Sequence, residues 1–514
     1  MEPVSLLRFI PVAKHSGIRA RTNTDDLAAN FSEAQAAIED VGGGQLIVPR
    51  GRYHSEGGIF LGDGVSMIGE GKGTELVPVA SAEYFIDGEG KTDFELERFF
   101  INLAGVTGAP DRIIFIEDAI RPNLEKLLIL GNPLDEIAQI IWADNAQNMH
   151  VERVSIYSIL GEGLRAANSR HTKLERCHFE AIEKPAAFLS RAIILGGSNY
   201  YSVDCCTFKD IGTAGFASIN DVCCIDVGGA ENGAVTGCVA ENVHSFIDIE
   251  TSIVGTPHEI TVTGNQATGL RKLVPAAYGK GLFINGPDHL TSVIFSSNSM
   301  SYFSAGLTTT AAAHVVANGN SFNNCESAMY MASTRKLSVV GGTIKACVNG
   351  IEITQSAGFG GGVLAGICMD EISSVALSHT LNSGTPVEAD RLLIRDMKIM
   401  SGTISYSSYN AVNERGNSGP SQALPANAAT ATLVGSSDWY TANTGATAYT
   451  DFDLAYGEEK TIIVNDNFTS VTFNNAGGGI YGNLGINATV GVPKNSTMKV
   501  KRLFDNGSVR VTIQ

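Results

Sequence analysis

The sequence predicts an all-β chain wound as a right-handed parallel β-helix, with a capping helix at its N-terminal end and a β-sandwich at its C-terminal end. Three observations lead there. The 514 residues include 57 glycines and a charged fraction of only 17%, a composition suited to many short strands joined by tight turns. Short apolar clusters recur at intervals in the twenties and thirties: IFL at 59, YFI at 84, IIF at 113, QIIW at 139, GLRA at 163, AIIL at 192, CID at 224, FIDI at 246, LFI at 282, GLT at 306, MYM at 329 and IEI at 351. Between them lie second strands ending in polar or Gly-Asn punctuation, such as LEKLLILGN, YSVDCCTFKD and EITVTGNQA.

A repeat of this length with two or three strands cannot bury its apolar face alone. Successive coils must stack and share one core. The longer intervals then become loops that project from one face, where a groove forms most readily.

The one convincing helical period lies in TDDLAANFSEAQAAIEDVGGG. Asp25 or Asp26 caps it, Leu27, Phe31, Ala34 and Ile38 form its apolar side, and Gly42 stops it. An amphipathic helix here covers core that no further coil would hide. Toward the other end, a Ser/Asn/Gly/Pro stretch around 411–425 reads as a linker, and 426–514 alternates strand and hairpin signals, including DNGS at 505. The expected domains are a segment 1–41 with the helix, a β-helix 42–410, the linker, and a sandwich 426–514.

Charge and cysteine content narrow the function. With 36 basic and 53 acidic residues the formal charge is −17, which repels phosphate backbones and argues against nucleic acid. No apolar run reaches the roughly 18 residues of a membrane span, so membrane insertion is not expected, and the N-terminus lacks a signal-peptide core. Nine cysteines, two pairs of them adjacent (Cys205-Cys206 and Cys223-Cys224), suit buried free thiols better than a disulfide framework. Neither CxxC nor HExxH spacing is present, so no metal and no cofactor is expected.

The cluster GGGQLIVPRGRY followed by GIFLGDGVSMIGEGKGTEL, preceded by the capping segment, resembles the opening of the pectate-lyase-like β-helices. LRFIPVAKHSGIRARTNTDD leading directly into the helix, with a long β-helix and a terminal sandwich, resembles the receptor-binding part of bacteriophage tailspikes. The resemblance implies a homotrimer, intertwined or side by side, that binds and cuts bacterial capsule or O-antigen. It also implies a place in the virion tail, outside the cell after assembly in the host cytoplasm, with attachment to the phage baseplate or tail through a domain missing upstream. It supplies no catalytic motif.

The candidate chemistry therefore comes from the residues. In HSFIDIETS, Ile247 and Ile249 point into the core and Asp248 and Glu250 point out. Stacking Ile225 on Ile247 sets Asp226 beside Asp248 on the neighbouring coil, with Glu241 and His244 on the preceding turn. The excursion ATGLRKLVPAAYGKG adds Arg271, Lys272 and Tyr278 as a groove wall. Paired carboxylates are what glycosidases use, one as acid and one as base or nucleophile. The expected catalytic group is Asp226, Glu241, Asp248 and Glu250, with His244, Arg271, Lys272 and Tyr278 holding substrate. Glu180, Glu183, Asp210, Asp221 and Glu352 are rivals.

Three functions compete. The first is endo-acting hydrolysis of a surface polysaccharide. The second is β-elimination by a lyase, with His244, Lys272 or Tyr278 as base and Arg271 as charge stabiliser. The third is glycan binding without catalysis.

Overall fold

The computed structural model describes residues 2–514 apart from 80–82, 105, 107, 109, 135, 184–189, 214–221, 251–257, 275–278, 286–290, 313, 356–360, 382–391, 407–411, 416–421, 425, 434–437, 455–457, 475–479, 483–487 and 503–508. The chain divides into two compact units, 1–293 with 300–304, and 294–299 with 305–514.

In the first unit, parallel strands stack coil on coil into three walls, each with its own interior column. One column runs Ile86, Ile114, Ile141, Leu164, Ile193, Ile225, Ile247, Leu282. It is built from the apolar clusters whose recurrence predicts the fold. The second runs Ile101, Ile129, Ile156, Phe179, Phe208, Ala240, Ala267. The third runs Leu96, Leu124, Val151, Leu174, Val203, Val235, Val262. All these side chains are buried. At about 1.5–3 kcal/mol for each fully buried large aliphatic, the columns supply the main drive for stacking.

The corner between the second and third walls repeats one backbone device. Lys126, Arg153, Arg176 and Cys205 hold φ of 55°, 54°, 53° and 53°. Each costs roughly 1–2 kcal/mol in the left-handed region for a residue with a Cβ. The offset is visible: each of these N–H groups donates to a carbonyl of the next coil at 2.9 Å. Just after that corner Cys177, Cys206 and Cys238 stack inside the coil, and seven of the nine cysteines are buried free thiols, with Cys205 exposed.

The expected helix spans Ala28–Glu39 and buries Phe31, Ala34, Gln35 and Ile38. Asp26 Oδ1 accepts the Ala28 N–H at 3.0 Å, and Gly42 and Gly43, at φ of 88° and 98°, turn the chain away. Their N–H groups return to Glu39 and Ile38 carbonyls at 2.9 and 3.0 Å. A second helix, Val12–Arg19, is not legible from the sequence pattern. Its anchor is tertiary, the buried Ile18 side chain seated against Gly51, where a Cβ would collide at 2.4 Å.

The second unit repeats the winding, with Leu307, Met329, Ile351, Leu377 and Ile404 in one column and Phe322, Ile344, Met369 and Ile399 in another. The expected linker differs: Val412–Arg415 pairs in parallel with Leu392–Arg395 as one more coil strand. The C-terminal part, expected as a sandwich, mixes parallel and antiparallel pairing. Its first pairings are parallel, Gln422 with Trp439, Trp439 with Ile462, Thr430 with Asp451 and Thr447 with Thr469. Antiparallel pairing enters between Glu459–Ile463, Thr497–Arg502 and Val509–Ile513, and between Thr469–Thr472 and Thr489–Gly491. Trp439, Tyr449, Phe452, Ile462 and Val500 share the core of this part. The strands either side of DNGS, Thr497–Arg502 and Val509–Ile513, pair antiparallel as that signal predicts, whereas the earlier pairings are parallel because alternation alone does not encode strand direction.

Candidate functional site

The outer face of the first wall carries a file of residues, one per coil, at the position just after the core column. It runs Phe115, Trp142, Arg165, Ile194, Asp226, Asp248, Phe283. Adjacent members lie about 4.8 Å apart along the wall. Asp226 pairs with Asp248 across the coils as the sequence register requires, and Glu250 lies two residues on, opposite Gly228 and Asn285. Gly228 raises no side chain beside Glu250, so among the described residues that flank is open.

Asp226 and Asp248 are only 5% and 8% exposed, unusual for acids on the outside of a coil. Long side chains shut them in. Arg191 reaches Asp226 Oδ2 at 2.7 Å, and the Lys280 ammonium lies 3.5 Å from the centre of the Phe283 ring. Among the described residues Asp248 Oδ1 has no hydrogen-bond partner, leaving one carboxyl oxygen of the pair unsatisfied.

The electrostatics follow from that burial. Desolvation, with the charges of Asp226 and Glu250 added, pushes the Asp248 carboxyl up to about 8, against the opposing pull of Lys280 and Arg191. Burial also raises Asp226, although the Arg191 guanidinium pulls the other way. Lys280 is lowered by its own desolvation. Asp248 is thus a carboxylic acid at neutral pH, able to give a proton.

A further carboxyl joins the group. Glu162 is 5% exposed, accepts from Gln139 Nε2 at 3.1 Å, lies 3.9 Å from Arg165, and is raised by burial. Gly163 puts it there: a Cβ at this position would meet the Ala192 carbonyl oxygen at 2.5 Å, so only glycine lets the two coils close.

Other expected members fall elsewhere. Glu241 pairs with Lys209 and Thr268 on the second wall and is exposed, away from the acids of the first. His244 is 3% exposed, inside the corner between the walls, and burial lowers its pKa. Arg271 and Lys272 form a short 3-10 turn after the second-wall strand Gln266–Gly269, and the cations that act most on Asp248 are Lys280 and Arg191 instead. Tyr278 and Asp221 lie outside the described residues.

Among the rivals, Glu180 is held below its usual range by Lys209 at 2.6 Å and His178 at 3.1 Å. Glu183 accepts from the Thr213 N–H at 3.1 Å, Asp210 from Asn242 at 3.1 Å, and Glu352 from Ser327 at 2.7 Å. Asp248 Oδ1 has no such donor among the described residues. Sequence reasoning missed Glu162, Arg165, Arg191 and Lys280, although each lies within three residues of an apolar cluster, in GEGLRA, SRAIIL and GKGLFI.

Two other features stand apart. A shallow depression of about 460 Å³ on the third wall, lined by His171, Tyr200, Ser202 and Asn232 among others, contains no carboxylate. His150, Glu152 and Glu175 come close enough to share a metal ion, but Lys173 and Arg176 already engage the two acids.

No protein-family model and no curated protein matches the chain. Solved structures do. A double mutant of the tailspike protein of E. coli bacteriophage HK620 superposes with a TM-score of 0.55 at 13% identity, covering 80% of each chain. A single mutant of the same tailspike, in complex with a pentasaccharide, gives 0.54 at 13% identity, again over 80% of each. At that identity the likeness is one of fold, a right-handed parallel β-helix.

Proposed function

We propose that the protein is a tailspike-type depolymerase that binds bacterial capsule or O-antigen and cuts it internally by glycosidic hydrolysis. The observation that carries this reading is a buried carboxyl kept protonated up to about pH 8 beside two further carboxyls on an outward face. Asp248 gives its proton to the glycosidic oxygen as the bond to the anomeric carbon breaks. Glu250, whose open flank admits water, takes a proton from the water that attacks that carbon. Residues two apart on a strand are about 7 Å apart, within the roughly 6.5–9.5 Å that leaves room for such a water and inverts the centre. Asp226, ion-paired with Arg191, helps hold the Asp248 proton in place by its negative charge rather than taking part in transfer.

The likeness to a tailspike solved with a pentasaccharide supports a glycan as ligand. The same reading carries a homotrimer and attachment to a phage tail, which sedimentation of the purified chain tests first: a mass of three chains supports it and a monomer sinks it.

The deciding experiment is mass and ultraviolet analysis of oligosaccharides released from a panel of capsular and O-antigen polysaccharides by this protein and by its Asp248→Asn variant. Saturated products one water heavier, reduced at least a hundredfold in the variant, are expected. Unsaturated products would replace hydrolysis by β-elimination, and binding without product would leave a glycan-binding adhesin.

A further inference from the structure

Upstream of the carboxyls on the same face, two guanidiniums are fixed on aromatic rings. Arg112 lies 4.1 Å and Arg165 4.7 Å from the centre of the Trp142 indole, and Arg112 also lies 5.6 Å from Tyr84 and 5.3 Å from Phe115, which stack on each other at 4.1 Å. Stacking of this kind holds a planar guanidinium in one orientation while its edge stays free to bind.

Their setting differs from that of the cations held by acids at 2.5–3.2 Å in this unit, such as Arg52 with Glu75, Arg121 with Asp93, Lys91 with Glu39 and Lys126 with Glu97. Arg112 has no ion pair among the described residues, and Arg165 has Glu162 only at 3.9 Å. The Arg165 Nε and Trp142 Nε1 donors are buried without hydrogen-bond partners among the described residues.

We propose that Arg112, Trp142 and Arg165 form a subsite for a carboxylate-bearing sugar, so that the polysaccharide is an acidic one containing a uronic acid. The inference rests on the proposed glycan-cleaving function and names its substrate class. The paired donors of a guanidinium match a carboxylate edge to edge, which a neutral sugar cannot use as fully. Register sets the distance: Arg165, Ile194, Asp226 and Asp248 occupy successive coils, so the subsite lies three coil spacings, about 14 Å, from the proton donor. That is the length of a short oligosaccharide running along the wall, so the acidic sugar anchors the chain beyond the bond that breaks.

The test uses the full chain carrying Asp248→Asn and measures binding to uronate-containing capsular polysaccharides, each native and after carbodiimide-borohydride reduction of its carboxyls to alcohols. At least one native polysaccharide is expected to bind ten times or more tightly than its reduced form. Adding Arg112→Gln and Arg165→Gln should abolish that difference while leaving affinity for the reduced form in place, which also shows that the variant is folded. Equal affinity for native and reduced forms, equal weakening of both by the arginine changes, or no binding of any uronate polysaccharide would overturn the subsite. The unmodified protein separates this from the function it rests on. Cleavage of a polysaccharide with no carboxylate preference refutes the subsite alone, and carboxylate-dependent binding without any product refutes the hydrolase alone.

Discussion

Asp248 is neutral because of where it sits: the wall turns it outward, and Arg191, Lys280 and Phe283 then close over it. Its folded pKa of about 8 stands above the ordinary 3.8, so the folded state holds the proton more tightly than the unfolded one. The stability contributed is complete below about pH 4 and is lost as the pH rises through about 8. Replacing Asp248 with Asn removes the titration, so the variant should gain melting temperature over the parent progressively from pH 5 to pH 9. A difference that stays flat across that range would show that Asp248 is ionised throughout. The same proton is needed for catalysis, so kcat should fall tenfold per unit above about pH 8. Arg191 is the complementary case: Arg191→Met leaves Asp226 buried beside an apolar chain, which should cost about 3–5 kcal/mol in denaturant unfolding.

At the scale of the element, the site depends on how closely neighbouring coils approach. Gly163→Ala would drive a methyl into the Ala192 carbonyl, a backbone atom that cannot swing aside. A loss of about 1–3 kcal/mol is expected from such overpacking. Because Glu162 and Arg165 shift with the coil, cleavage should fall more than stability alone explains, and unchanged product release at full folding would exclude that coupling. The same elements show what could be read beforehand. Ile225 over Ile247, with Asp226 beside Asp248, was legible because strand alternation fixes the face and the coil repeat fixes the register. Glu241 was not, since the strand before Asp248 runs on another wall, across a corner, and His244 sits in that corner, where alternation fails and the ring turns inward. Arg191 and Lys280 escaped because long, flexible side chains reach the acids from beside the file, and no spacing rule encodes that reach.

Over the whole molecule, the site is an electrostatic exception. The chain carries a net charge of −17, yet Arg112, Arg165, Arg191 and Lys280 share one face with four carboxyls, one of which keeps its proton up to about pH 8. An acidic polysaccharide approaching from afar meets the repulsive total, and at contact it meets the cations. Salt separates the two ranges, because the screening length shrinks from about 30 Å at 0.01 M to about 10 Å at 0.1 M and weakens partly buried contacts far less. The association rate with a bound acidic glycan should therefore rise several-fold between those salt concentrations, while the dissociation rate changes little. Stopped-flow or surface-binding kinetics on the Asp248→Asn chain would show it. A rate that falls with salt, as it does for oppositely charged partners, would mean that the cationic face and not the total charge governs the long-range encounter.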